Sequence, residues 1–186
     1  MSVRILTPPA SEPVSLAEAK LFLRVDHAVE DDLISLLIVA AREAVETGCG
    51  RALISRRVRE SLDIWRRDAV GGALLSIGPA TNVVAVRLVA RNGTESVIDP
   101  ERYRLDGARD RPRLVFESGL PAILRSAGAV EIDYDAGLAE AAEDLPVALR
   151  LAVLHVVAAL YDTRIGDGPL PETARALMRP FAPARL

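Results

Sequence analysis

Two segments of this chain are apolar on nearly every side of the helices they are predicted to form. Eight of the nine residues 33–41 are apolar, and the run 147–161 is interrupted only by Arg150 and His155. A surface helix of a monomer shows a single apolar stripe, so helices without a polar face need burial on more than one side. Both runs are shorter than the ~20 apolar residues that span a bilayer. The pattern predicts a soluble protein, without membrane contact, whose helices pack against their own core and against another subunit.

The boundaries of the first two helices are marked by capping signals. Ser15 and Glu18 have the spacing of a capping box, which predicts a short helix directly after Ser15. The acidic residues 30–32 fall in the first turn of a second helix, where negative charge complements the helix dipole. Gly48 or Gly50 is predicted to end that helix as its C-terminal cap.

Between residues 55 and 135 the apolar period changes from helical to alternating. Val130, Ile132 and Tyr134 alternate with three acidic residues, which is typical of a strand with one buried face. Asn92 and Gly93 follow another alternating run and predict a hairpin with a two-residue turn. Shorter strands are predicted at residues 58–65, 73–77, 103–105 and 113–116.

These elements predict one α+β domain, a helical bundle into which a small antiparallel β unit is inserted. The N-terminal helices occupy residues 1–54 and the β insert residues 55–137. The C-terminal helices occupy residues 138–179, and residues 180–186 form a tail. Within the insert, the highly charged sequence from Asp106 to Pro112 predicts an exposed loop.

Few residues are suited to catalysis. His27 and His155 are the only histidines, and Cys49 is the only cysteine. A nucleophilic triad needs a histidine beside a serine or cysteine and an orienting carboxylate, and no local motif brackets any serine. The C-terminus of a helix also disfavours the thiolate of Cys49. The sequence favours a protein that is not an enzyme; a small hydrolase or transferase using Cys49 or His155 is the alternative.

Charge and loop composition indicate neither tight DNA binding nor a cofactor. A net charge of −3 argues against a protein that grips duplex DNA by neutralising its phosphates. The arginines within residues 51–67 lack interleaved aromatic residues for base stacking, so salt bridges are their predicted role. The acidic residues 30–32 lack calcium-loop spacing, and residues 166–168 lack the rest of a phosphate-binding motif. No metal or cofactor is predicted; a DNA-packaging or DNA-binding accessory factor is a further alternative.

In order along the chain, several runs resemble the head–tail connector (adaptor) proteins of long-tailed phages, prophages and gene transfer agents. These runs are "VSLAEAK", "EDDLISLLIVAAREAVETGCGRAL", "GPATNVVAVRLV", "EIDYDAG", "LPVALRLAVLHVVAALYDTR" and "LPETARALMRPF". The resemblance covers nearly the whole chain. It departs from the family before the Gly50-Arg51 pair, where Cys49 stands in place of an aromatic residue, and within the β insert.

The resemblance implies a structural role in the neck of a phage-like particle that is assembled in the bacterial cytoplasm. Adaptors of this kind form a homo-oligomeric ring, usually twelve-fold, beneath the portal protein. The ring extends the DNA channel, through which DNA passes without specific binding. It also presents a platform to a stopper or tail-side connector protein.

This expectation assigns three sets of residues. The last helix and tail carry apolar residues in a segment too short for its own core, which favours contact with the portal. The portal candidates are Arg175, Met178, Arg179, Phe181 and Leu186.

The second helix is expected to pack against the next subunit of the ring. The ring candidates are Leu33, Leu37, Ala40, Ala41 and Ala44. The charged loop is expected to face the channel or the tail-side partner. The loop candidates are Arg109, Arg111 and Arg113.

Overall fold

Twelve helices and strands in the described part of the chain divide between two compact units. The computed structural model describes residues 2–68, 71–107, 111–121, 127–163 and 170–182. One unit, here called the β unit, comprises Met1–Pro9 and Ser55–Gly137. The other, the helical unit, comprises Ala10–Ile54 and Leu138–Leu186.

The helical unit contains four α-helices within the described residues. They are α1 (Leu16–Leu23), α2 (Asp31–Cys49), α3 (Val147–Thr163) and α4 (Glu172–Met178). The capping box at the start of α1 is confirmed, because the Glu18 N–H donates to Ser15 Oγ (3.2 Å) and the Ser15 N–H donates to the Glu18 carboxylate (2.8 Å). The glycine stop of α2 is also confirmed, at Gly50, which adopts the left-handed conformation (φ 67°).

The core of the helical unit is built from small and aliphatic side chains. Helix α2 packs against α3, α3 packs against α4, and α1 contacts both α2 and α3. Ile34, Ile38, Ala41 and Val45 lie one helical turn apart along α2, and each is at most 3% exposed. Helix α2 therefore has one fully buried face, while Leu33, Leu36 and Ala40 are exposed and Leu37 is half-buried at the edge of the core. No helix in the described ranges combines the length and apolar character that crossing a membrane requires.

The β unit contains two antiparallel sheets. Its strands are β1 (Ser2–Thr7), β2 (Arg56–Leu62), β3 (Ala73–Leu74), β4 (Ala80–Ala90), β5 (Glu95–Val97), β6 (Tyr103–Asp106), β7 (Arg113–Phe116) and β8 (Ala127–Ala136). The five-stranded sheet has the order β1-β2-β8-β4-β5, and the three-stranded sheet has the order β3-β7-β6. The predicted α+β class and the antiparallel pairing are confirmed.

The two sheets share one core. The predicted buried face of β8 is confirmed: Val130, Ile132 and Tyr134 have no exposed surface. They belong to the same cluster as Phe116 of the three-stranded sheet. Trp65 contacts Phe116 edge to face, with 5.5 Å between ring centroids, and both rings belong to this core.

The structure corrects several local predictions. Strand β2 ends at Leu62 rather than at residue 65, and β3 ends at Leu74 rather than at residue 77. The hairpin at Asn92-Gly93 has a three-residue turn rather than two, because the Ala90 N–H donates to the Thr94 carbonyl and Gly93 takes the left-handed position (φ 84°). Strand β1 was not predicted, because its partner β2 is about 55 residues away. The segment 106–112 is not wholly an exposed loop, because Asp106 ends strand β6; residues 108–110 lie outside the described residues.

Candidate functional site

An exposed apolar ridge runs along helix α2. It comprises Leu33 (43% exposed), Leu36 (69%), the half-buried Leu37, and the exposed Ala40, and we call it the α2 ridge. Spacings of three, four and seven residues place these side chains on one side of the helix. This grouping of exposed apolar side chains makes the α2 ridge a candidate interaction surface.

Three of the five predicted ring candidates belong to the α2 ridge. Leu33, Leu37 and Ala40 belong to it, and Ala44 is half-buried beside the core. Ala41 has no exposed surface and faces the core of its own unit. Leu36 was not among the predicted residues, although its spacing from Leu33 and Ala40 would have identified it.

Helix α4 and the residue that caps its C-terminus present two arginines at the surface. Arg175 and Arg179 are exposed, while Met178 between them is 3% exposed and belongs to the core. Phe181 is half-buried against that core, and its carbonyl oxygen accepts a 2.6 Å hydrogen bond from Arg51 Nε. Leu186, the remaining portal candidate, lies outside the described residues.

An open groove of about 740 Å³ lies beside these arginines. Its lining includes Gly48, Leu170, Glu172, Arg175, Met178 and Arg179. The apolar side chains of Leu170 and Met178 suit an apolar partner side chain, and two guanidinium groups against the single carboxylate of Glu172 favour an acidic group beside it. The groove gives the predicted portal residues a concave surface that the sequence did not predict.

The three arginines of the predicted charged loop have different surroundings. Arg111 is exposed, and Arg109 lies outside the described residues. Arg113 is in strand β7, where its guanidinium forms ion pairs with Asp68 and, at 3.2 Å, with Asp106. The Arg113 side chain therefore contributes to the internal cohesion of the β unit.

Cross-strand ion pairs cover one face of the five-stranded sheet, which we call the charged face. Arg57 pairs with Asp135 (2.9 Å), and both Arg59 and Arg87 pair with Asp133 (2.6 Å each). Burial opposes ionisation of Asp133, but hydrogen bonds from Arg59 and Arg87 outweigh it and lower the pKa of its carboxyl. The predicted salt-bridge role is confirmed for Arg57 and Arg59.

The two candidate catalytic residues, Cys49 and His155, pack against neighbouring side chains of the helical unit. Cys49 has no exposed surface, and burial raises the pKa of its thiol. His155 on α3 contacts the ring of Phe22 edge to face, with 5.4 Å between centroids. The described residues contain no group of three or more His, Cys, Asp or Glu side chains placed to hold a metal ion. A protonated thiol shielded from solvent is a poor nucleophile.

Comparison with known proteins adds to this geometry. The family model described as "Phage gp6-like head-tail connector protein" matches residues 13–86. A chain in the neck of an empty gene transfer agent particle, computed with C6 symmetry, is 30% identical, with a TM-score of 0.87 over 100% of this chain and 97% of that one.

Two further solved structures have the same coverage. A chain in the virion of a native gene transfer agent particle is 30% identical with a TM-score of 0.85. A chain in the neck of the native particle, computed with C12 symmetry, is 29% identical with a TM-score of 0.83. A search of curated protein sequences gives no match.

Proposed function

This chain belongs to the phage gp6-like family of head–tail connector proteins, and from that premise we propose that twelve copies of it form a ring beneath the portal of a phage-like particle. Its role is structural: it is a connector between head and tail. The observation that carries the ring proposal is the full-length similarity to a chain in a gene transfer agent neck with C12 symmetry. The ring assembles in the bacterial cytoplasm, and no catalytic step belongs to its role.

The α2 ridge supplies one of the two surfaces that a ring subunit needs. Rings with cyclic symmetry are built from heterologous contacts, in which one surface of a subunit meets a different surface of the next. Leu33, Leu37 and Ala40 bury their apolar area in this contact, with Leu36 at its centre and Ala44 at its border. Ala41 acts indirectly, as part of the core that supports the ridge.

Helix α4 and the segment after it supply the portal contact. The exposed guanidinium groups of Arg175 and Arg179 border the groove, and an apolar portal side chain with a neighbouring carboxylate fits between them. Phe181 and Leu186 are the further residues of this contact. Met178 lines the groove and is 3% exposed, so it joins the groove to the core of the helical unit.

The loop that contains Arg109 and Arg111 contacts the stopper or tail-side connector protein, and Arg113 holds the base of that loop. DNA passes through the ring without specific binding. Arg57, Arg59 and Arg87 are already paired with carboxylates, and the chain carries a net charge of −3. These three arginines are therefore not available to neutralise DNA phosphates, and the net charge does not favour DNA binding.

Cryo-electron microscopy of particles tests the proposal directly. Particles made with this chain are expected to show a ring of twelve copies between portal and tail, and deletion of its gene is expected to leave filled heads without tails. Tailed particles without this density would overturn the structural role.

Fluorescence anisotropy with a duplex oligonucleotide at physiological salt distinguishes a connector from a DNA-binding factor. Submicromolar affinity of the isolated chain would contradict the passage of DNA without specific binding.

A further inference from the structure

Both edges of the five-stranded sheet are open. All six residues of β1 are exposed, including Val3, Ile5 and Leu6, and all three residues of β5 are exposed, with Val97 at 63%. An edge strand presents a row of backbone N–H and C=O groups, and soluble monomers protect such edges with charges, prolines or short length. Strand β1 has six residues, no proline and three large aliphatic side chains, so it is suited to pair with another strand.

The two open edges run in the same direction. Every neighbouring pair in the order β1-β2-β8-β4-β5 is antiparallel, and five is an odd number, so the first and last strands point the same way. Rotation about a ring axis keeps the orientation of each subunit relative to that axis. If neighbouring subunits meet sheet edge to sheet edge, β5 of one therefore lies parallel to β1 of the next.

The edges also carry opposite charges on the same face. Arg4 of β1 is directly opposite Arg59 of β2, which places both on the charged face. Glu95 of β5 lies 3.6 Å from Arg87 on that same face, and its side chain is 53% exposed. An edge-to-edge contact that keeps the charged faces on one side of the ring places Arg4 of one subunit and Glu95 of its neighbour on the same face of the joined sheet.

We propose that, in the ring, strand β1 of each subunit pairs in parallel with strand β5 of the next, with Arg4 beside Glu95, so that the five-stranded sheets join into one continuous band. The inference rests on the proposed function, because it names the surfaces through which adjacent ring subunits meet. Backbone hydrogen bonds supply the affinity, and the Arg4–Glu95 pair fixes the register. The band lies in the β units, and the α2 ridge is a separate contact in the helical units.

Thiol cross-linking in assembled particles tests this pairing. Neighbouring strands are about 4.8 Å apart, so cysteines at paired positions lie within reach of a short bifunctional methanethiosulfonate reagent. Particles containing the double variant Arg4→Cys/Glu95→Cys are treated with the reagent, thiols are then blocked, and the denatured protein is separated without reductant. A ladder of covalent multimers up to the complete ring is expected. The single variants are expected to stay monomeric, because each subunit then carries only one of the two thiols that the reagent must join.

Charge reversal provides the second measurement. Arg4→Glu is expected to lower the titre of transfer-competent or infectious particles at least tenfold, and adding Glu95→Arg is expected to restore it. If the unmodified chain is present in the neck as a ring but the double cysteine variant gives no ladder, or the second reversal gives no rescue, the edge pairing is wrong and the ring proposal stands. If the unmodified chain is absent from particles, the proposed function fails, and this inference fails with it.

Discussion

The hydroxyl of Tyr134 donates a 3.2 Å hydrogen bond to Glu60, and neither residue has any exposed surface. The same carboxylate accepts hydrogen bonds from the Ser76 N–H (2.8 Å) and Ser76 Oγ (2.6 Å), and the Tyr134 hydroxyl accepts one from the Ile77 N–H (3.1 Å). Glu60 on β2 and Tyr134 on β8 thus accept hydrogen bonds from the backbone N–H groups of Ser76 and Ile77, which follow β3. Strand β3 ends at Leu74, before the predicted residue 77, because these backbone N–H groups bind side chains instead of a neighbouring strand.

Removing the hydroxyl of Tyr134 is expected to destabilise the β unit. Tyr134→Phe leaves the Ile77 N–H without its acceptor and Glu60 with one donor fewer, which predicts a loss of about 1–3 kcal/mol in the free energy of unfolding. Urea denaturation followed by the fluorescence of Trp65, the only tryptophan, reports on the same core. Tyr103→Phe removes a hydroxyl from a partly exposed tyrosine and is the matched control. Equal effects of the two variants would contradict the role assigned to the buried network.

Acid is expected to destabilise the charged face. Hydrogen bonds from Arg57 lower the pKa of Asp135, and those from Arg59 and Arg87 lower the pKa of Asp133 despite its burial. A carboxyl group whose pKa is lower in the folded than in the unfolded protein stabilises the folded state at pH values above the unfolded pKa, which is about 4 for aspartate. That contribution is lost as the pH falls through the folded pKa.

The urea midpoint is therefore expected to fall below about pH 4, with Trp65 fluorescence as the measurement. Asp133→Asn is expected to lower the midpoint at neutral pH and to flatten its decline in acid, because the variant has no proton to gain at this position. A variant that kept the full acid sensitivity would show that other carboxyls cause it.

A charge placed on the α2 ridge is expected to block ring assembly without unfolding the subunit. Leu36 is 69% exposed, so Leu36→Glu changes the free energy of unfolding by less than about 0.5 kcal/mol while placing a charge in the proposed subunit contact. The measurement is incorporation of the chain into particles. Val147→Glu, at an exposed apolar residue on α3, is the control. Normal incorporation of the Leu36 variant would exclude the ridge from the ring contact.

Reversing the two arginines of α4 is expected to uncouple the connector from the portal. Arg175→Glu/Arg179→Glu leaves the buried Met178 in place, so the helical unit folds, but the groove then repels a carboxylate partner. Pull-down of the portal protein is expected to fall at least tenfold. The control Arg91→Glu/Arg102→Glu makes the same charge change at exposed residues of the β unit. Unchanged binding by the α4 variant would move the portal contact elsewhere.

Cys49 provides the test of the enzymatic alternative. Because its thiol is buried and burial raises its pKa, the folded chain is expected to react with a thiol reagent only after denaturation. Cys49→Ala and His155→Ala particles are expected to assemble normally. A hydrolytic activity that either substitution abolished, in particles that still assembled, would show that the chain is an enzyme.

Local signals in the sequence predicted the parts of the fold that local interactions determine. The capping box at Ser15 and the alternation around Tyr134 each depend on residues within a few positions, and both are present. Strand β1 was missed although Val3, Ile5 and Thr7 are β-branched and alternate with Ser2 and Arg4. The run is only six residues long, and its partner β2 lies far along the chain, so this local signal alone did not identify it.

The candidate surfaces were predictable to different degrees. The apolar run 33–41 predicted that α2 packs on more than one side, but it did not separate the buried Ala41 from the exposed Leu36. That separation depends on which face meets α3. The groove beside Arg175 was not predictable either, because its lining joins the end of α2 to α4, which are more than 120 residues apart.

Gly48 illustrates how one helix sets the position of another. A Cβ atom at this position would lie 2.9 Å from Leu170 Cδ1 and 3.1 Å from Met178 Cε. The helix forgoes about 1 kcal/mol of helix propensity here, and the hydrogen atom in place of a side chain lets α4 approach closely. The missing side chain at position 48 leaves the space that the ends of the Leu170 and Met178 side chains occupy. The lining of the groove beside Arg175 and Arg179 therefore depends on a residue of α2 that contributes no side chain of its own.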